Sequence, residues 1–204
     1  MDAERATDLA LAQLEQHGLL LMQDAAFPSL VSLIAGEPIV GSWWSHPRNR
    51  VIYDVLQALM DKSLVVKLIA GKRTFVHRRL WPAVCAVGES NAPWQRDKLR
   101  PDALELLARV RACDALRTDI AEPLSSGRKV GAVATDLEKR ILIHATDEHT
   151  EAGNHARVLE AWPRFRARAK LSDKQLPSAD DAREQLGSCT RAWSGKARVL
   201  FPWS

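Results

Sequence analysis

The sequence predicts an α+β fold in which helices are followed by a β-hairpin, an arrangement that occurs twice along the chain. Apolar residues recur at helical spacings of three and four, as in the series Val51, Ile52, Val55, Leu56 and Leu59. Two pairs of β-rich segments follow such helices, and short turns at residues 70–72 and 152–154 join the members of each pair. Helices followed by a hairpin are the order of a winged helix-turn-helix, so we expect two such units in tandem.

The first unit is predicted from its apolar spacing and its turn signals. We expect a helix over residues 6–18, a short strand over 19–22 and a second helix from 27 to 35. Pro47 is acceptable in the first turn of the next helix, which carries the apolar series given above. Residues 63–81 then predict an amphipathic, basic hairpin, and a short helix follows over 80–87 because Pro82 is tolerated near a helix start.

The second unit begins after residues 91–94, a loop-like stretch that marks the expected domain boundary. Its predicted elements are helices over residues 101–113, 118–121 and 129–140 and a hairpin over 141–162. A helix near 178–186 and a terminal strand around 197–201 complete the chain. We therefore expect an N-terminal domain with the basic hairpin over residues 1–90, a second winged-helix unit over 91–163, and a basic extension over 164–204 that packs on the body.

Composition indicates an ordinary globular protein, with 46% hydrophobic and 26% charged residues. The three cysteines, Cys85, Cys113 and Cys189, are scattered without CxxC spacing, which argues against a disulfide framework and a cysteine zinc site. The first residues are acidic and do not resemble a secretory signal, and apolar runs stay far below the ~20 residues of a membrane helix. A cytoplasmic protein with no membrane partner is expected.

Positive charge is concentrated in one block. Residues 46–81 contain eight Lys or Arg and two Asp, a net charge of +6, whereas residues 1–45 are net acidic. Such a block attracts polyanions, nucleic acid above all. Its candidate phosphate contacts are Arg48, Arg50, Lys72, Arg73, Arg78 and Arg79. The alternative is a solvated basic face that maintains solubility.

Trp43 and Trp44, beside this block, are candidates for stacking on exposed bases. Because a tryptophan at a helix start is more often buried, we expect one of the two in the core and the other partly exposed. In the second unit the helix over 129–140 would be the recognition element, with Lys129, Lys139 and Arg140 as candidate nucleic-acid contacts. Asp136 and Glu138 would also face the phosphates, so a protein-contact surface is the alternative there.

The second hairpin contains three histidines, His144, His149 and His155, which are the candidate metal ligands of the chain. Their spacing is not a known ligand pattern. The alternatives are structural roles, solvent-facing roles, or a loop that contacts a partner or nucleic acid. A P-loop, an HExxH motif and a Gly-x-Ser-x-Gly elbow are all absent from the sequence. No cofactor is predicted.

Three segments resemble a bacterial family of AlkZ-related winged-helix proteins: GEPIVGSWWSHPRNRVIYDVLQAL, VVKLIAGKRTFVHRRLWPAV and LEKRILIHATDEHTEAGNHARVLEAW. The resemblance covers about residues 36–162. It implies the tandem winged-helix scaffold of the distantly similar DNA glycosylases, which excise alkylated or crosslinked bases. Their catalytic signature is Gln, an apolar residue, then Gln or Asp. This chain offers Gln95-Arg96-Asp97, with a charged middle residue, so Gln95 and Asp97 are the only candidates for such a role.

The leading expectation is a winged-helix protein that binds nucleic acid, in particular DNA, without catalytic activity of its own. Two alternatives stay open. One is a glycosylase-like repair enzyme acting on damaged bases, and the other is a module that binds a protein partner or a second copy of itself.

Overall fold

A computed structural model of the chain describes residues 2–149, 155–193 and 198–204. The fold is α+β, as the sequence predicts. The chain divides into two compact units. Unit 1 comprises Met1–Trp81, Glu184–Pro202 and Ser204, and unit 2 comprises Pro82–Arg183 and Trp203. No helix in the described ranges is long and apolar enough to cross a membrane.

Unit 1 combines helices with a three-stranded antiparallel sheet. Its elements are α1 (Ala3–His17), β1 (Leu19–Leu21), α2 (Leu30–Ala35), a 3-10 turn (Trp43–Ser45), α3 (Asn49–Lys62), β2 (Leu64–Ile69) and β3 (Lys72–Val76). The strand order is β1-β3-β2, so the first strand pairs with the last. The hairpin thus extends a sheet that begins directly after α1.

Local capping explains where α1 and α2 begin and end. The Asp2 carboxylate accepts a hydrogen bond from the Arg5 amide at 2.9 Å and caps α1, which stops at Gly18 with φ +80°. The Ser29 hydroxyl accepts from the Ser32 amide and caps α2. That cap delays the second helix to Leu30, three residues after the predicted start at 27.

The turn between β2 and β3 lies at the predicted position. Ala70 and Gly71 both have positive φ, 50° and 68°, and Ile69 pairs with Lys72 across them. Positive φ at both central residues is the geometry of a type I′ turn, whose twist matches that of the flanking strands. A two-residue turn of this kind makes the β2–β3 hairpin tight and places Lys72 and Arg73 next to its tip.

The predicted apolar stripe of α3 is confirmed. Its members Ile52, Val55, Leu56 and Leu59 are buried in the unit 1 core. They share that core with side chains of α1, β1, α2 and β3, among them Leu14, Leu20, Ile34 and Phe75. Burial of one face of α3 leaves its opposite face to solvent.

Unit 2 has its own core and its own three-stranded antiparallel sheet, ordered β4-β6-β5. Its elements are α4 (Trp81–Glu89), α5 (Pro93–Arg96), α6 (Pro101–Ala112), β4 (Leu116–Arg117), α7 (Val130–Lys139), β5 (His144–His149), β6 (His155–Glu160), α8 (Trp162–Arg168) and the first half of α9 (Ala179–Ser188). Between β5 and β6 lies the predicted turn at residues 152–154, which is outside the described residues.

Three expectations about local structure are wrong. Residues 118–121 form no helix; they follow β4 as a turn, in which the Thr118 amide donates to the carbonyl of Arg157 at 2.9 Å. Residues 198–201 form no strand, and residue 197 lies outside the described part of the chain. The loop-like stretch at 91–94 already contains the start of α5, because Pro93 occupies a first helical turn.

Candidate nucleic-acid interface

The basic block does not form one continuous patch. Arg48 and Arg50 lie at the start of α3, and Lys72 and Arg73 lie beside the hairpin turn. Arg78 and Arg79 come after the other end of β3. At ~3.4 Å per residue, that end of the strand lies about 14 Å from Lys72. The charge therefore divides between two ends of unit 1.

Arg48 and Arg79 use their guanidinium groups inside unit 1. Arg48 donates to the carbonyl of Ile34 in the last turn of α2 at 2.7 Å. Arg79 donates to the carbonyls of Glu15 and Gln16 at the end of α1. Cations at helix C-termini satisfy carbonyls that have no partner within the helix. Both arginines stabilise helix ends, and the sequence gives no local sign of this because the partners are 14 and 63 or 64 residues away.

Two neighbouring side chains link the hairpin turn to the loop that precedes α3. Asp24 accepts a hydrogen bond from the Lys72 ammonium at 2.6 Å. Gln23 donates from its amide to the carbonyls of Ile39 at 3.2 Å and Gly41 at 2.6 Å. Gly41 precedes Trp43 by two residues, so the tip of the hairpin and the start of α3 lie at the same end of unit 1.

The Asp24 carboxylate is held ionised by its partners. Burial alone would raise the pKa of Asp24, but hydrogen bonds from Lys72 and from the amides of Ala26 and Phe27 outweigh it and lower that pKa below its ordinary value. The ion pair is therefore intact at neutral pH. Half of the Lys72 side chain remains exposed, which leaves its ammonium accessible from solvent.

The expectation for the tryptophan pair is confirmed. Trp43 is 4% exposed and belongs to the unit 1 core, whereas Trp44 is 57% exposed. Their rings stack with centroids 4.1 Å apart and an interplanar angle of 23°. Tyr53, on the outer face of α3, lies 5.8 Å from the Trp44 ring and is 36% exposed.

Sequence reasoning missed Tyr53. It follows the exposed Arg50 by three residues, so the two lie on one face of α3, opposite the buried stripe. The three-residue spacing between Arg50 and Tyr53 is the feature of the sequence that could have identified Tyr53 as part of this surface. We call the set Trp44, Arg50, Tyr53, Lys72 and Arg73 the α3–hairpin surface.

In unit 2 the corresponding helix is α7, and contacts within the unit occupy part of its surface. Arg157 of β6 donates to the Gly131 carbonyl, to the Thr135 hydroxyl at 3.1 Å and to the Glu138 carboxylate at 2.5 Å, which covers that face of α7. Arg140 donates to the carbonyls of Trp94, Gln95 and Asp97. Of the predicted contacts here, Lys129 and Lys139 are exposed at the two ends of α7, and Arg140 serves the end of α5.

Gln95 is a structural residue of unit 2. It is fully buried, and its amide oxygen accepts from the Ser90 hydroxyl at 2.9 Å and the Ala92 amide at 2.8 Å. Its amide nitrogen donates to the carbonyls of Arg140 and Ile141 at 3.2 and 3.3 Å. A side chain with this burial and these partners is not positioned to activate water on a substrate. Asp97 is exposed just after α5.

His144 is also engaged internally. Its Nδ1 lies 2.8 Å from a carboxylate oxygen of Glu160, which Arg168 also contacts. Burial alone would raise the pKa of Glu160, but the hydrogen bonds with His144 and Arg168 lower it. The described residues contain no group of three or more His, Cys, Asp or Glu placed to hold a metal ion. The side chains of His149 and His155 lie outside the described part of the structure, so their predicted role stays a prediction.

Comparison of the chain with protein-family models, with curated proteins and with solved structures finds no match.

Proposed function

We propose that unit 1 is a winged helix-turn-helix that binds DNA through the α3–hairpin surface. The observation that carries the proposal is the order of its elements, α1-β1-α2-α3-β2-β3, with β1 paired to β3 in one antiparallel sheet. In that scaffold the third helix is the recognition helix, and the hairpin is the wing. Here the wing is the β2–β3 hairpin, with its type I′ turn.

Charge supports the same assignment. Arg50, Lys72 and Arg73 are exposed at the end of unit 1 where α3 begins and the hairpin turns. Cationic side chains beside a recognition helix contact phosphates, and each contact releases condensed counterions from the DNA. Binding through these residues is therefore sensitive to salt. DNA phosphate would compete with Asp24 for the Lys72 ammonium.

The test is fluorescence anisotropy of a labelled DNA duplex across a series of salt concentrations. The slope of log K against log salt is negative, and each lost phosphate contact decreases its magnitude by about 0.9. We expect this decrease for Arg50→Ala. Lys174→Ala is the matched control, because Lys174 is an exposed cation of unit 2 and its loss changes the net charge equally. Binding that is absent or insensitive to salt, or equal effects of the two variants, would overturn the proposal.

A common scaffold with the AlkZ-related winged-helix family is part of this proposal, on the strength of the sequence resemblance. The proposal is for binding rather than base excision, because Gln95 is buried with its amide occupied. Incubation with alkylated DNA, followed by a search for abasic sites, tests this point. We expect none to form, and their formation by the wild-type protein would establish the enzymatic alternative.

A further inference from the structure

Trp44 presents a fixed aromatic face to solvent. One face of its ring rests on Trp43, which the core of unit 1 anchors. Its backbone is held as well, since the side-chain amide of Asn49 donates to the Trp44 carbonyl at 2.7 Å and the backbone amide of Trp44 donates to the Ser42 hydroxyl at 3.4 Å. A ligand that stacks on this ring meets a side chain that is already ordered, so little conformational entropy is lost on binding.

The surroundings of this ring define the ligand. Tyr53 adds a second exposed ring, tilted by 39° with respect to Trp44. Arg50 lies one helical turn before Tyr53 on the same face of α3. Flat apolar rings next to a cation match a flat, apolar group joined to an anion. A nucleotide has this chemistry, with the base as the flat group and the phosphate as the anion.

Base pairing decides which form of nucleic acid fits. Away from the two ends of a duplex the faces of the bases are covered by their neighbours, so along the helix only an unpaired base offers a free face to an aromatic side chain. We propose that Trp44, assisted by Tyr53, stacks on an unpaired base, so that the protein binds DNA with an unpaired segment more tightly than a fully paired duplex. This inference rests on the proposed function of the α3–hairpin surface.

The experiment compares three labelled probes: a single strand of about 12 nucleotides, a blunt duplex of the same length, and that duplex with a single-stranded overhang. The variant Trp44→Leu keeps an apolar side chain but removes the aromatic face. We expect its affinity for the single strand and the overhang to fall about tenfold, the effect of losing one base stack, and its affinity for the blunt duplex to fall by clearly less. The control Trp44→Phe keeps an aromatic ring and most of the affinity.

A spectroscopic readout reports stacking directly. The chain has seven tryptophans, so the signal of Trp44 is the difference in fluorescence between the wild type and Trp44→Phe. We expect the single strand to quench this difference signal more strongly than the blunt duplex does. Because Trp44 is more than half exposed, Trp44→Leu should fold, and circular dichroism checks this. Tyr53→Leu provides a second variant, with a smaller loss for the single strand.

The outcomes separate the two proposals. If the wild type binds none of the probes at low salt, the proposed function itself fails. If it binds the duplex in a salt-dependent manner but shows no preference for unpaired DNA, only the stacking inference is overturned. An equal loss on all three probes for Trp44→Leu also overturns it, because the ring would then act on duplex binding as a whole. Binding of a protein partner in place of nucleic acid at this surface would overturn both.

Discussion

Substitution of Gly88 by alanine should strongly destabilise unit 2. Gly88 is buried within α4, and the ring of Trp162 lies directly against it. A methyl group at Gly88 would stand 2.3 to 2.5 Å from three atoms of the indole ring, far inside van der Waals contact. The ring cannot easily move away, because it is 1% exposed and its Nε1 donates to the carbonyl of Ile141 at 2.8 Å.

The expected loss in free energy of unfolding can be estimated from the contacts that Gly88→Ala must disturb. Overpacking a well-packed core costs about 1–3 kcal/mol, and removal of a buried tryptophan costs about 3–5 kcal/mol. The shift of about 1 Å that Gly88→Ala demands would also stretch the bond from Trp162 to Ile141. Alanine itself favours the helix by up to ~1 kcal/mol. We therefore expect Gly88→Ala to lower the free energy of unfolding by about 3 kcal/mol.

Thermal and urea denaturation, followed by circular dichroism, measure this loss. The matched control is Gly187→Ala, because Gly187 also lies in a helix, α9, yet a methyl group there meets no atom within 4 Å. The control should be neutral or more stable by up to ~1 kcal/mol. If Gly88→Ala unfolds at the same denaturant concentration as the wild type, Trp162 does not pack on α4 as described.

Two further predictions concern titratable groups. Because the pKa of Asp24 is lower in the folded than in the unfolded chain, its carboxylate stabilises the fold fully above the unfolded pKa of ~3.9, and this stabilisation is lost as pH falls through the folded pKa. The difference in free energy of unfolding between wild type and Asp24→Asn should therefore be largest at pH 7 and should shrink below pH ~4, as measured by urea titrations at each pH. Burial raises the pKa of Cys85 to about 12. A thiol reagent at pH 8 should therefore modify the partly exposed Cys113 and Cys189 well before Cys85, as followed by mass spectrometry. Modification of Cys85 at the same rate would contradict its burial.

Periodic features of the sequence were good predictors of structure. The stripe on α3 and the turn at Ala70 and Gly71 each follow from residue spacing or from local backbone preference, and both are present where expected. The helix predicted at 118–121 fails for a different reason. Thr118 bonds to Arg157 of β6, 39 residues away, and this tertiary pairing extends the sheet where local sequence favoured a helix.

The candidate site was predictable in part. The choice of the tryptophan pair and of Arg50 came from the sequence, because aromatic and basic residues cluster ahead of a helix. The structural roles of Arg48 and Arg79 could not be predicted from the sequence. An arginine that binds the carbonyls at a helix end looks the same in sequence as one that contacts a phosphate. Their partners are backbone carbonyls, which every residue possesses, so no residue type marks them.

The partners of the arginines bear on the proposal that unit 1, rather than unit 2, binds DNA. In unit 2 several arginines, among them 128, 157, 166 and 168, pair with a carboxylate, although Arg140 donates to backbone carbonyls. Such pairs cancel the positive field locally. In unit 1, Arg48 donates to the neutral carbonyl of Ile34, so its charge adds to the positive field around the start of α3 even though it makes a structural contact. Arg48→Ala should therefore weaken DNA binding in two ways, through the loss of a positive charge and through the loss of the contact with α2. Arg48→Lys keeps the charge and loses only the contact with α2, so its affinity in the anisotropy titration should lie between those of Arg48→Ala and the wild type.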